Sequence, residues 1–174
     1  MMHSSYIWQD GYENMAADGH TAEGQAHDRR LLLPYRQKPN AAASLATTPS
    51  DYARFIITLL APAQNQHIQL SAAGIAAMLT PQVQLTDQIT WGLGWGLQQY
   101  EEHLSFWHHG RGLFTNFVIG FPEYRTGLVV MTNSGENAQA EHLIRTIIQA
   151  VFGEDYPVFY VMPYSTMKQQ GFVI

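Results

Sequence analysis

Residues 91–133 read WGLGWGLQQYEEHLSFWHHGRGLFTNFVIGFPEYRTGLVVMTN, and the clearest strand signals of the chain fall within them. At residues 91–97 large apolar side chains alternate with glycine, a period of two that is typical of a β-strand. We predict one strand there, with an apolar face and a nearly bare face that another element can approach closely. Three more apolar runs predict further strands, at residues 106–110, 114–121 and 128–132. Because parallel crossovers need a dozen or more residues, these strands should form an antiparallel meander.

Two stretches outside the sheet carry clear helical signals. Thr48 can cap a helix that starts at Pro49, and its apolar stripe consists of Tyr52, Phe55, Ile56, Leu59 and Leu60. A second helix should begin near residue 137, with one apolar face made of Leu143, Ile144, Ile147, Ile148 and Val151. Ser71 can cap a shorter helix between them. The sequence therefore predicts an α+β fold, with an antiparallel sheet of three to five strands flanked by helices.

Composition excludes several classes of protein. The chain has 174 residues, 46% of them hydrophobic, which suits one globular domain with a real core. Nine scattered basic residues and a net charge of −5 argue against a nucleic-acid partner. No apolar run is long enough for a membrane span, and the start lacks the blocks of a signal peptide. With no cysteine, disulfides and thiolate metal sites are excluded, but the compartment stays unassigned.

Five short motifs follow one another along the chain. They are TPSDYARF at residues 48–55, LTP at 79–81, GLGWG at 92–96, HHG at 108–110 and VVMTN at 129–133. In this order they resemble the C-terminal half of the serine β-lactamase-like family, which includes class C β-lactamases, penicillin-binding proteins, DD-peptidases and related esterases and is often periplasmic or secreted. The resemblance implies that residues 1–153 are a partial β-lactamase-like domain, followed by an aromatic-rich arm at residues 154–174.

The resemblance also implies a site at the HHG motif. His108 falls at the basic first position of the family's third motif, and Gly110 falls at its closing glycine. There His108 would be an electrostatic partner or proton relay, and Gly110 would let substrate backbone approach. The backbone N–H of Arg111 would donate to the oxyanion. His109 replaces the usual small hydroxyl residue, so the resemblance does not extend to that position.

The nucleophile that the family requires has only a weak candidate in this sequence. Ser165 and Lys168 match Ser-x-x-Lys by letter, but the chain ends six residues later, where an apolar helix should follow. Tyr12 and Asn14 likewise match Tyr-x-Asn without the helix that should come next. Chance is the better interpretation of both matches, and a catalytic Ser165 would require a circularly permuted order.

The eight histidines of the chain are candidate metal ligands. His108 and His109 are adjacent on a strand and should point to opposite faces, so they cannot easily share an ion. His20 and His27 stand in a loop with Asp18 and Asp28, where solvated side chains are the simpler interpretation. We therefore expect neither a metal nor another cofactor.

Three functions remain open from the sequence. The first is the C-terminal portion of a serine hydrolase for a small amide or ester substrate, inactive alone because its Ser-x-x-Lys half is absent. The second is a non-catalytic module that binds the missing N-terminal half or associates with itself, since half a domain exposes a face that its partner would cover. The third is a permuted hydrolase that uses Ser165 and Lys168.

Overall fold

The computed structural model describes residues 1–21, 23–32, 36–62, 70–100, 102–135 and 138–153. Its centre is one antiparallel sheet whose six strands are ordered as in the sequence. The strands are β1 Val83–Gln84, β2 Ile89–Trp91, β3 Gly96–Tyr100, β4 His103–Arg111, β5 Thr115–Phe121 and β6 Thr126–Thr132. The predicted α+β class and antiparallel meander are confirmed. The sheet exceeds three to five strands because β1 is two exposed residues without apolar alternation.

The three longer helices lie where the sequence predicts them, whereas a one-turn helix and a short 3-10 helix were not predicted. Their bounds are α1 Tyr12–Met15, a 3-10 helix Arg29–Leu32, α2 Pro49–Leu60, α3 Ala72–Met78 and α4 Ala138–Phe152. The Thr48 side chain accepts a hydrogen bond from the Asp51 N–H at 3.2 Å, which confirms the predicted cap of α2. Ser71 caps α3 in the same way, through the Gly74 N–H at 3.0 Å. No helix in these described ranges is long and apolar enough to cross a membrane.

Two apolar clusters cover the two faces of the sheet. On one face α2 and α3 bury a cluster formed by Ile56, Leu59, Ile75, Trp95, Leu97, Phe106 and Val118. On the other face α4 buries a cluster formed by Ile89, Trp107, Phe117, Ile119, Phe121, Val130, Ile144 and Ile148. Consecutive residues of β4 and β5 alternate between the clusters, as the period of two requires. We call these the α2 face and the α4 face.

Residues 91–97 do not form the single strand that their alternation predicts. β2 ends at Trp91 and β3 begins at Gly96, and these two residues pair across the hairpin. Between them the Gly92 N–H donates to the Trp95 carbonyl at 2.8 Å, and Gly94 has a φ of +83°. Glycine adopts that left-handed backbone without a steric penalty, so the glycines make a tight turn instead of extended chain.

The apolar stripe of α4 is also narrower than predicted. Ile144 and Ile148 are buried, and Ile147 is half-buried. Leu143 is 47% exposed and Val151 is 57% exposed, so neither belongs to the core. Leu143 lies about 100° around the helix from Ile144, which turns it away from the sheet. The sequence pattern predicted the helix correctly but assigned too many of its residues to the buried face.

A buried carboxylate ties the N-terminal segment to α2. The Asp51 side chain is fully buried, and its Oδ2 accepts from the His3 N–H at 2.6 Å and the Ser4 hydroxyl at 3.0 Å. Arg54 donates to Oδ1 at 2.5 Å. These hydrogen bonds, led by that from the His3 N–H, lower the pKa of Asp51 to about 2. The first turn of α2 is thus a fixed anchor for the start of the chain.

Candidate functional site

The HHG motif lies at the end of β4, where the period of two separates its two histidines. His108 pairs with Val118 and His109 pairs with Phe117 on β5. The His109 and Phe117 ring centroids are 6.4 Å apart, which puts His109 on the α4 face. The His108 ring lies 6.3 Å from that of Trp95, a buried residue of the α2 face. The predicted orientation to opposite faces is therefore found.

Two tryptophans of the β2–β3 hairpin lie beside the His108 imidazole. Its ring centroid is 6.0 Å from that of Trp91 and 6.3 Å from that of Trp95, both in edge-to-face geometry. The His108 residue as a whole is exposed. Burial against this apolar wall lowers the pKa of His108 below the ordinary histidine value, since an imidazolium loses hydration there. His108 is therefore a neutral, accessible imidazole near pH 7.

The rest of the motif closes β4. Gly110 pairs with Asn116 and Arg111 pairs with Thr115, so Arg111 is the last residue of the β4–β5 ladder. A side chain at Gly110 would meet only the Asn116 side chain, 3.9 Å from its nearest atom, and the strand surface there is open. Arg111 is exposed. These residues leave a clear approach to the strand end beside His108.

The loop that follows Arg111 packs against a group that the sequence analysis missed: Gly19, His20 and Gly135, which we call the brace. A Cβ at Gly19 would lie 2.8 Å from the Leu113 carbonyl oxygen, and a Cβ at Gly135 would lie 2.8 Å from that of Gly112, so both glycines contact this loop closely. His20 fixes the two glycines relative to each other. Its N–H donates to the Asn133 carbonyl at 2.7 Å, and its carbonyl accepts from the Gly135 N–H at 3.1 Å. The Gly19-His20 pair in an otherwise polar loop was the available signal.

The loop that holds His20 and His27 is organised by ion pairs. Asp18 pairs with Arg29 at 2.5 Å, and Asp28 pairs with Arg30. Both carboxylates thus have cationic partners, whose hydrogen bonds lower the pKa of each carboxyl. Within the described ranges, no group of three or more metal-ligating side chains comes together. These pairings give no support to a metal in this loop.

The two letter matches to catalytic motifs have different outcomes. Ser165, Lys168 and the whole arm at residues 154–174 lie outside the described residues. Tyr12 and Asn14 belong to the one-turn helix α1. Hydrogen bonds join the intervening Glu13 to Trp8, Arg29 and Arg36, an exposed cluster with no described bond to β4. The Tyr-x-Asn letters are therefore part of a surface cluster.

Comparison with known proteins identifies relatives of this architecture. Residues 2–152 match the sequence model of the Beta-lactamase family. A search of curated proteins found no significant match. The octameric penicillin-binding protein homologue from Pyrococcus abyssi superposes with a TM-score of 0.65 at 17% identity, over 87% of this chain and 34% of that one. A class C β-lactamase superposes with a TM-score of 0.63 at 14% identity, over 86% of this chain and 46% of that one.

A penicillin-binding protein from Bacillus halodurans gives a TM-score of 0.51 at 21% identity, over 62% of this chain and 32% of that one. At these identities the superpositions establish the fold alone. They also show that the chain spans between about a third and a half of the length of these relatives.

Proposed function

Because this chain belongs to the beta-lactamase family, we propose that it is the C-terminal portion of a serine hydrolase that cleaves a small amide or ester. The reaction is acyl transfer to a serine, followed by hydrolysis of the acyl-enzyme. The chain spans less than half the length of its structural relatives. In this proposal a segment outside the matched region supplies the serine.

The environment of His108 is the observation that carries this proposal. Its imidazole stands near the end of β4, with the rings of Trp91 and Trp95 beside it, and the residue is still exposed to solvent. A neutral imidazole in that position can take up a proton or stabilise charge as it develops on a neighbouring group. A buried core histidine or a solvated surface histidine would not combine these features.

In the proposed reaction the serine hydroxyl attacks the carbonyl carbon of the substrate. His108 relays a proton or stabilises the charge that develops near the nucleophile. The N–H of Arg111 donates a hydrogen bond to the oxyanion. Gly110, which projects no side chain, lets the substrate backbone lie along the strand. The brace of Gly19 and Gly135 supports this scheme, because it holds the loop after Arg111 against the body.

The proposal includes inactivity of the isolated chain. The sequence contains one Ser-x-x-Lys, formed by Ser165 and Lys168, which we interpret as a chance match. Loss of the serine nucleophile removes most of the rate acceleration of such an enzyme. We therefore propose that His108 and Arg111 act only when a nucleophile segment is present, in the same chain or as a separate one.

Two labelling experiments test this function. The isolated chain is treated with a fluorescent penicillin and with a fluorophosphonate, and any adduct is mapped by peptide mass spectrometry. We expect no labelled serine; a labelled Ser165 supports the permuted hydrolase, and any other labelled serine contradicts the proposal.

The second experiment labels a longer protein. The DNA upstream of Met1 is read, and any longer in-frame product containing Ser-x-x-Lys and Tyr-x-Asn is expressed. That product should be labelled at its new serine.

A self-associating module is the second candidate, favoured by exposed apolar residues on α4. On α4, Leu143 is 47% exposed and Val151 is 57% exposed. The related penicillin-binding protein homologue from Pyrococcus abyssi is octameric. Light scattering coupled to gel filtration tests this candidate. A stable oligomer that Leu143→Ser dissociates would favour it, and a monomer at all accessible concentrations would exclude it.

A further inference from the structure

A second group of hydrogen-bonded side chains lies at the other end of β4 from the HHG motif. Glu123 and Tyr124 belong to the turn between β5 and β6, and His103 is the first residue of β4. His103 Nδ1 lies 2.5 Å from Glu123 Oε2, and His103 Nε2 lies 3.0 Å from the Tyr124 hydroxyl. The imidazole is thus engaged at both nitrogens, between a carboxylate and a phenol.

The direction of these hydrogen bonds follows from chemistry. An ionised carboxylate can only accept, so Nδ1 of His103 must carry the proton that it donates to Glu123. In the neutral ring Nε2 then has a free lone pair, and the Tyr124 hydroxyl donates to it. A nucleophile that is hydrogen-bonded to a base, with the base oriented by a third group, is the signature of an activated nucleophile. Here Tyr124 has the place of the nucleophile, His103 that of the base and Glu123 that of the third group. The same roles recur in the Ser-His-Asp triad.

The turn presents this group to solvent. Tyr124 is 52% exposed, so a small molecule can reach its hydroxyl. The turn is held by the Arg125 N–H, which donates to the Pro122 carbonyl at 3.2 Å, and by the Thr126 hydroxyl, which donates to the Tyr124 carbonyl at 3.0 Å. Arg125 has a φ of +49°, a conformation that costs energy for a residue with a side chain. The backbone therefore fixes Tyr124 beside His103.

We propose that Tyr124 is an activated nucleophile that accepts an acyl group from activated carboxylic esters, with His103 as the base and Glu123 as its orienting group. The Tyr124 oxygen attacks the ester carbonyl while its proton passes to His103 Nε2. The tetrahedral intermediate collapses as the bond to the leaving alcohol oxygen breaks, and that oxygen takes the proton from His103. The products are O-acyl-Tyr124 and the free alcohol or phenol. This activity is independent of the serine chemistry proposed above.

The test is acetylation of the whole chain by p-nitrophenyl acetate, followed by peptide mapping over time. Tyr6 is the internal control, because it is exposed to a similar extent, 47%, and no described histidine is hydrogen-bonded to its hydroxyl. We expect Tyr124 to be acetylated about a hundredfold faster than Tyr6, at the lower end of what a positioned base contributes. His103→Gln should reduce the Tyr124 rate to that of Tyr6, and Glu123→Gln should reduce it by a smaller factor.

Three results overturn the proposal: equal rates at Tyr124 and Tyr6, an unchanged Tyr124 rate in His103→Gln, or an acetyl group that stays on His103. Because both tyrosine rates come from one molecule, their ratio is informative even if a variant loses stability. Circular dichroism verifies that each variant keeps its sheet. A purely structural role for the three side chains would lower the melting temperature of Tyr124→Phe while leaving the two tyrosine rates equal in the unmodified chain.

Discussion

The indole of Trp107 lies over the bare Cα of Gly96, its cross-strand partner in the β3–β4 ladder. A Cβ at position 96 would lie 2.5 Å from Trp107 Cε2, well inside van der Waals contact. Trp107 is buried in the core of the α4 face and cannot move without disturbing it. The close approach predicted for the bare side of the GLGWG stretch is therefore made by an aromatic ring.

Gly96→Ala should destabilise the fold by about 1–3 kcal/mol, the usual cost of overpacking a dense core. Urea unfolding followed by circular dichroism measures it. Gly112→Ala is the matched control, because its Cβ would have no atom within 4 Å. That control should change the free energy of unfolding by less than about 0.5 kcal/mol. Equal effects at both positions would mean that the Trp107 ring does not constrain Gly96.

Truncation of α4 should distinguish its buried line from its exposed apolar residues. Ile144→Ala and Ile148→Ala should each cost about 2–5 kcal/mol, because both side chains are buried against the sheet. Leu143→Ala should cost less than about 1 kcal/mol in the monomer, since that side chain is 47% exposed. Thermal unfolding of the three variants at one protein concentration decides the question. A large loss in Leu143→Ala alone would reverse our assignment of the helix face.

Acid should release the N-terminal segment from α2. The pKa of Asp51 is about 2 in the folded chain against an ordinary value near 3.8, so its carboxylate stabilises the fold. This contribution is complete above about pH 4 and is lost as the pH falls toward the folded pKa. Asp51→Asn should therefore flatten the decline in stability between about pH 4 and pH 2. Ser4→Ala removes only one of the hydrogen bonds and should give an intermediate slope; parallel curves for all three proteins would contradict the anchor.

The isolated chain is sufficient to test the environment of His108. The pKa of its imidazole should lie below the ordinary histidine value of about 6.5, because the tryptophan wall disfavours the charged ring. Proton NMR titration measures it, with His108→Gln identifying the resonance. Trp91→Ala should move the midpoint upward by opening the wall to water. A midpoint at or above 6.5 in the unmodified chain would show that the two tryptophans do not reduce the hydration of this ring.

A reconstituted enzyme, as proposed above, should depend on His108 far more than on His109. His108→Ala should lower kcat by about a hundredfold, in the range of positioned acid–base groups. Because the pKa of His108 is lowered, activity that needs the neutral ring should persist into mildly acid conditions and fall only below about pH 6.5. His109→Ala should act on substrate preference or folding, since His109 faces α4. Equal, mild effects of both substitutions would show that the site lies elsewhere.

The sequence correctly predicted those features of the fold that depend only on residues close together in the chain. The Thr48 cap, the α2 stripe and the strands around Phe106 and Phe117 need only neighbouring residues, and all were correct. The GLGWG turn was missed because alternation with glycine looks the same in a strand and in a hairpin whose turn needs a positive φ. The His20 brace was missed because its contacts to Asn133 and Gly135 cross more than a hundred residues, and no local pattern specifies such a contact.

At the candidate site, too, the features set by neighbouring residues were predictable and those set by the tertiary fold were not. The strand period alone places His108 and His109 on opposite faces. The lowered pKa of His108 depends on Trp91 and Trp95, which reach it only through the β2–β3 hairpin. The Glu123-His103-Tyr124 group was not predicted, because His103 lies 20 and 21 residues before Glu123 and Tyr124 in the sequence. Only the register of β4 and β5 brings them together.

The ordering of six strands by sequence has a consequence for how the chain is made. Within the described residues every ladder joins strands that are neighbours in the sequence, so each strand can pair as soon as the next one leaves the ribosome. Such short-range pairing keeps the loop-closure entropy small and favours rapid folding. The sheet would therefore be complete during synthesis, before α4 emerges to cover its second face. Until then, the apolar residues that α4 will bury are the surface a chaperone would meet.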